Sequence, residues 1–178
     1  MASAQPVHLQ GPNLGTTGIG VVEIQLRASG GDGTYSWSLV SGNGDLPPGV
    51  ALRTDVPSWF SPDAAAGLIG VATTAGQYPF TLRATSAGQN TDLEYTLTIS
   101  PLRAQDSWEL PYAFVGVPYS FGLTAVKVGA VGPVIATWAS TGGLPAGMSL
   151  SSEGVLQGTP AAAGFYNVNY MLTEGADT

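Results

Sequence analysis

The chain has 178 residues, enough for one large domain or two small ones, each burying its own core. Its formal net charge is -7, with one lysine (Lys127) and four scattered arginines (Arg27, Arg53, Arg83, Arg103), a balance that repels a phosphate backbone and argues against nucleic acid as partner. The absence of cysteine excludes disulfides and thiolate metal sites, and no apolar run reaches the roughly 18 residues that would suggest insertion into a membrane.

Read from the N-terminus, Met1–Gln10 lacks the basic start and apolar run of a secretory signal. It holds the single histidine, His8, on an end expected to be mobile, which leaves a Ser-His-Asp arrangement without a base. With 25 glycines and 13 prolines among short alternating runs of Val, Thr, Leu and Tyr, the chain predicts strands and tight turns rather than long helices. The run "GIGVVEIQL" (Gly18–Leu26) is followed by "YSWSL" around Trp37 and then by "LPPGVAL" (Leu46–Leu52). In Leu-Pro-x-Gly the leucine can plug the end of a core, the proline fixes φ, and the glycine supplies the positive φ a turn needs. Next comes "RTDVPSWFSP" (Arg53–Pro62), then "GVATTAGQYPFTL" (Gly70–Leu82). The latter delivers Tyr78 to a strand alternating Tyr78, Phe80, Leu82, Ala84. A further strand points Leu93, Tyr95, Leu97 and Ile99 inward and Glu94, Thr96 and Thr98 outward. Alternation then stops in "SPLRAQDSWELP" (Ser100–Pro111), the expected domain boundary.

Beyond it the pattern returns. "LPAGMSL" (Leu144–Leu150) repeats Leu46–Leu52 at an offset of 98, and "GTPAAAGFYNVNY" (Gly158–Tyr170) repeats Gly70–Leu82 at 88. The difference is a ten-residue insertion in the first copy, residues 53–62. "ATWAS" around Trp138 matches "YSWSL", and "GVPYSFGL" (Gly116–Leu123) loosely matches Gly18–Leu26. Most of the chain is therefore one unit used twice. "GVLQGTP" reads as a hairpin closing on Gly154 and Gly158, and the last strand is expected over Tyr166–Leu172. It puts Tyr166, Val168, Tyr170 and Leu172 inward and Asn167, Asn169 and Met171 outward. The second copy offers nothing to match Leu93–Ile99.

These spaced elements resemble the Putative Ig domain family of bacterial surface proteins, related to cadherin-like and dystroglycan-type modules. The second copy carries the resemblance closely through Trp138, Leu144–Leu150, Gly154–Pro160 and Ala163–Val168, whereas the first has "GVA" (Gly70–Ala72) in place of "GTP". The resemblance implies two tandem Ig-like Greek-key β-sandwiches, residues 1–102 and 103–178; by the repeat, the last strand of the second is missing or supplied by a partner. It also implies a spacer, adhesive or carbohydrate-facing role rather than catalysis. The location implied is extracellular or at the cell surface, with a phage decoration or tail component as an alternative.

No cofactor is expected. Most acids (Asp32, Asp45, Asp63, Asp92, Glu153, Glu174, Asp177) fall in predicted turns, where solvating polarity explains them better than a carboxylate pair for glycoside hydrolysis. Cadherin-like modules can hold calcium between domains, but the linker offers only Asp106 and Glu109 where a hard cation wants six to eight oxygens, so no metal site is expected. Lys127 shares parity with Phe121, Leu123 and Ala125, yet Asn167 and Asn169 alternate outward, which argues against a lysine–asparagine cross-link. Trp37, Leu46 and Tyr78 in the first copy, with Trp138, Leu144 and Tyr166 in the second, occupy equivalent positions and are assigned to the cores. Trp59 and Phe60, in an insertion the second copy lacks, and Trp108, in the linker, are the candidate contacts for a protein or a glycan. A sandwich without its final strand exposes unpaired N–H and C=O groups. Three outcomes are open: the sequence is cut from a longer protein, a protein partner donates the strand, or the chain self-associates through the open edge, with Ala4–Leu9 of another copy filling the gap.

Overall fold

A computed structural model describes residues 5–106, 109–131 and 134–175. The chain divides into two compact units, Met1–Ser100 and Pro101–Thr178, and the described residues are strands, turns and irregular segments with no helix.

The first unit contains β1 (Gln5–Leu9), β2 (Asn13–Gly18), β3 (Gly20–Leu26), β4 (Ala28–Gly31), β5 (Ser36–Gly44), β6 (Val50–Arg53), β7 (Ala66–Ala72), β8 (Gly76–Ser86) and β9 (Gln89–Ser100). One sheet has the order β3-β7-β6 and the other β2-β9-β8-β5, with β1 and β4 forming a separate two-stranded ribbon. Neighbours are antiparallel except β2, which runs parallel to β9 on its outer edge. The period-two pattern sets this layering, since residues of one parity on each strand bury together. Val22, Leu26, Leu68, Phe80, Leu82, Tyr95, Leu97 and Ile99 are almost wholly buried in one cluster, with Trp37 beside them and Leu46 and Tyr78 half-buried against it. Phe80 and Tyr95 stack at 6.1 Å. Burying side chains of this size contributes roughly 1.5–3 kcal/mol each, so this sheet pair carries the unit's stability.

His8 lies within β1, opposite Ser29 of β4, rather than on a mobile end; strand pairing orders it, and its side chain stays exposed. Asp92 lies in β9 rather than a turn and forms a two-pronged ion pair with Arg83 of β8, both contacts at 2.7 Å. Asp32 does hold a turn: the amide of Thr34 and the hydroxyl of Ser86 donate to its carboxylate and keep it below the ordinary carboxyl range.

Burial drives the phenol of Tyr95 up to about 12, and its hydroxyl donates to the Gln10 carbonyl at 3.1 Å. The unfolded chain ionises this group near 10, so the folded state's advantage is complete below that pH and is lost as pH rises from 10 towards 12. Alkaline unfolding followed by near-UV absorbance and circular dichroism should show the first unit weakening across this window. Tyr95→Phe should remove that part of the pH dependence.

The second unit contains β10 (Leu102–Ala104), β11 (Tyr119–Gly122), β12 (Ala125–Lys127), β13 (Thr137–Gly142), β14 (Met148–Leu150), β15 (Val155–Gly158) and β16 (Asn169–Thr173). Its sheets are β11-β15-β14, β13-β16 and the ribbon β10-β12. The first repeats β3-β7-β6 and the ribbon repeats β1-β4. In β13-β16, Trp138 pairs with Leu172 as Trp37 pairs with Ala84 in β5-β8.

The repeat holds at the level of single hydrogen bonds. At the Leu-Pro-x-Gly turns, Val50 N–H donates to Pro47 and Met148 N–H to Pro145, at 2.9 and 3.1 Å. Val71 N–H then donates to Gly49 and Thr159 N–H to Gly147, at 3.0 and 2.9 Å. Gly49 and Gly147 have φ of 88° and 86°, and a Cβ on either would fall 2.1 or 2.2 Å from the carbonyl oxygen of Val71 or Thr159. Both the left-handed backbone and the close approach require glycine there.

Two differences separate the copies. The second core is small, with Leu102, Trp138 and Leu172 buried and Leu123, Ala125, Val134, Ala136 and Leu150 partly so, while Leu144 is half-buried. And β9 has no counterpart: among the described residues β16 has β13 as its one strand partner, where β8 has both β5 and β9. The strand expected over Tyr166–Leu172 is correspondingly shorter and begins at Asn169. Tyr166 is 42% exposed and is not a core residue, because no strand lies where β9 pairs Leu97 with its equivalent, Tyr78.

Candidate functional site

Of the places where apolar side chains meet solvent, two bear on the contacts expected from the sequence. The first is the insertion between β6 and β7. Its backbone turns where Phe60 N–H donates to Pro57 at 3.0 Å, and it lies back on the sheet, with Ser61 N–H donating to Gln25 of β3 at 3.2 Å. Phe60 is 7% exposed and packs over Gly67 of β7, where a Cβ would stand 2.8 Å from its ring. Burial therefore removes Phe60 from the expected contact pair: the missing side chain at Gly67 leaves a seat that the ring fills. Trp59 points the other way, 69% exposed, its indole N–H donating to Glu23 at 3.3 Å. Trp108 lies outside the described residues.

The pair thus divides into one structural and one solvent-facing side chain. Phe60→Ala should cost about 3 kcal/mol of first-unit stability, as other truncations of buried aromatics do, while Trp59→Ser should stay within about 0.5 kcal/mol of the parent. Urea unfolding of the two variants checks this.

The second place is the free side of β16. Tyr166, Tyr170 and Met171 are 42–49% exposed, and elsewhere in the second unit Phe114, Tyr112 and Phe165 are 69%, 86% and 103% exposed. In the first unit the equivalents of Val168 and Tyr170 are Phe80 and Leu82, both at zero exposure under β9. Tyr170 has turned onto Trp138, their rings 5.1 Å apart and tilted, and burial raises its phenol above the ordinary range. At the base of the strand, Tyr166 donates to the Ala162 carbonyl at 3.4 Å, as Tyr78 does to Thr74 at 3.0 Å. Gly164 and Gly76 each lie under the ring of that tyrosine. Lys127 forms an ion pair with Glu174 at 2.7 Å. Tyr112, Phe114 and Phe165 were not singled out from the sequence.

Residues 106–178 match the family model described as Putative Ig domain. The second unit belongs to this family. A two-sheet Ig sandwich joins its C, F and G strands in one sheet. Here β13 and β16 take the places of C and F, as β5, β8 and β9 do for C, F and G in the first unit. The tyrosine that bonds back upstream at the start of F is Tyr166 in this Ig domain and Tyr78 in its repeat. Among solved structures, the chain is similar to the tandem Ig repeats of Dlar (17% identity, 89% of this chain and 84% of that one, TM-score 0.40). It is also similar to human protocadherin-24 EC1-2 (10%, 97% and 95%, 0.39) and to the titin domains z1z2 in complex with telethonin (15%, 92% and 84%, 0.39). Scores this low leave these likenesses without weight for what the chain binds. No curated protein matches the sequence.

Proposed function

We propose that the chain is a non-catalytic structural or adhesive Ig-like module of a larger extracellular surface or filamentous assembly, meeting partners through loops and strand edges. The observation that carries this reading is the repeat itself: two β units share strand order and Leu-Pro-x-Gly turns, and the second matches the model described as Putative Ig domain. Exposed aromatic side chains, here Trp59, Tyr112, Phe114 and Phe165, are what a protein contact uses. Beads coated with the chain should be retained under flow on surface preparations of the producing cells, and the soluble chain should leave a panel of chromogenic glycoside and ester substrates unconverted. Turnover of any of them by the purified chain, or release of the beads at the rate of uncoated ones, counts against the proposal.

A second reading, a carbohydrate-binding accessory module, has one observation in its favour. Trp59 offers an exposed indole beside the Glu23 carboxylate, a flat apolar face with a polar neighbour that suits stacking on a sugar. A glycan array probed with the parent and with Trp59→Ser decides it: sugar signals lost in the variant favour this reading, and a blank array with the parent removes it.

A further inference from the structure

We propose that Asn43 is a self-modification site: its side-chain amide closes onto the main chain and reopens as aspartate or isoaspartate, and the isoaspartate form loosens the join between β5 and β8. The site is independent of any role the chain has as an interaction module.

Asparagine is among the residues that time and heat degrade, and Asn43 is the one of five asparagines that precedes a glycine. The Gly44 amide nitrogen attacks Cγ of Asn43, gives up its proton and expels ammonia, leaving a five-membered succinimide. Water then adds to one of its two carbonyls. Attack at Cγ breaks the Cγ–N bond and gives aspartate. Attack at the main-chain carbonyl carbon breaks that C–N bond instead and gives isoaspartate, whose main chain runs through Cβ and Cγ and is longer by a methylene. Nothing is oxidised or reduced, and water is the sole co-reactant. A side chain on the following residue crowds the attacking nitrogen, which slows the other four asparagines, followed by Leu14, Thr91, Val168 and Tyr170.

The fold leaves Asn43 open and fixes the glycine beside it. The β5–β8 ladder passes from Leu39 opposite Leu82 to Gly44 opposite Phe80, so residues 40–43 bulge out of it, and Asn43 is exposed. Gly44 has a φ of 87°, and a Cβ there would overlap the Pro79 carbonyl oxygen. The second copy shows which of the two residues the turn demands: Gly143 approaches the Asn167 carbonyl in the same way, but Gly142 stands before it. Glycine is therefore required and asparagine is not. The one aspartate that precedes a glycine, Asp32, can close the same ring, yet its carboxylate accepts from the Thr34 amide at 2.9 Å and the Ser86 hydroxyl at 2.8 Å. Those bonds hold it as the anion, which a nitrogen nucleophile attacks poorly. At Asn43 the added methylene falls directly before Gly44, whose approach to Pro79 leaves no slack, so isoaspartate pushes β5 off β8 where aspartate does not.

The test keeps the full chain in heavy-oxygen water at mildly alkaline pH and locates incorporated solvent oxygen by fragmentation mass spectrometry. Label should enter at Asn43 at least about tenfold faster than at Asn13, Asn90, Asn167, Asn169 or Asp32. Asn43→Gln should remove that label and keep the parent's stability. Ion exchange separates the acidic products, and an isoaspartyl methyltransferase marks the isoaspartate form. Its first-unit melting temperature should lie about 5 °C below the parent's, whereas Asn43→Asp, with the same charge and an ordinary main chain, should match the parent within about 1 °C. Label entering at Asn43 no faster than at the other asparagines overturns the site. An isoaspartate form as stable as the parent, or an Asn43→Asp variant as weak as the isoaspartate form, overturns the loosening of β5 from β8.

Discussion

Replacing Trp138 with alanine is expected to unfold the second unit while the first stays folded. Trp138 is one of three buried residues in that unit's main cluster, with Leu102 and Leu172, while Leu156 is buried apart from it; Tyr170 lies against its ring and Gly154 comes close to its indole nitrogen. Truncating a buried tryptophan costs about 3–5 kcal/mol, and small domains hold only about 5–15 in total, so a core this small leaves little reserve. Trp37→Ala removes the equivalent ring from a far larger cluster and should lower the first unit's stability by a similar amount without abolishing its folding. Calorimetry should show two transitions in the parent, the upper one alone in Trp138→Ala, and both, with the upper displaced downward, in Trp37→Ala. A Trp138→Ala variant that keeps both transitions would place the second unit's stability elsewhere.

Gly49→Ala and Gly147→Ala are expected to disable the same turn in each copy. The added methyl meets a backbone carbonyl oxygen at close to 2 Å, which no rotamer change relieves, and the left-handed φ is unfavourable for alanine by a further 1–2 kcal/mol or so. Relief requires separating the turn from the end of β7 or β15, breaking hydrogen bonds at 3.0 and 2.9 Å. Gly33→Ala is the control: its φ is 84°, but a Cβ there meets nothing within 4 Å, so only the backbone cost applies. Denaturant midpoints should therefore fall markedly for the first two variants and slightly for the third. A Gly147→Ala variant no weaker than Gly33→Ala would mean the approach to Thr159 is not tight.

The repeat was legible because its signals are local. Leu-Pro-x-Gly dictates a turn from four residues, and alternation along Tyr78–Ala84 and Leu93–Ile99 dictates which side chains face inward, so sheet order follows once two copies are aligned. The places where the sequence misled depend on neighbours distant in the chain. Phe60 looked like a contact because the other copy lacks it, but its burial depends on an absent side chain at Gly67, and no periodicity encodes that. Tyr166 looked like core because Tyr78 occupies the same place, yet the cover over a strand comes from the strand beside it. Without that neighbour the same tyrosine keeps its hydrogen bond back to the chain and loses its burial.

The parallel pairing of β2 with β9 has a mechanical consequence. In the first unit, tension along the chain pulls the N-terminal end of β2 and the C-terminal end of β9 in opposite directions. The bonds between Asn13–Gly18 and Thr96–Ser100 are then loaded together, in shear. Among the described residues of the second unit every strand pair is antiparallel, β13–β16 included. Parallel pairing across Asn13–Gly18 and Thr96–Ser100 thus makes the first unit resist extension by the simultaneous failure of several bonds.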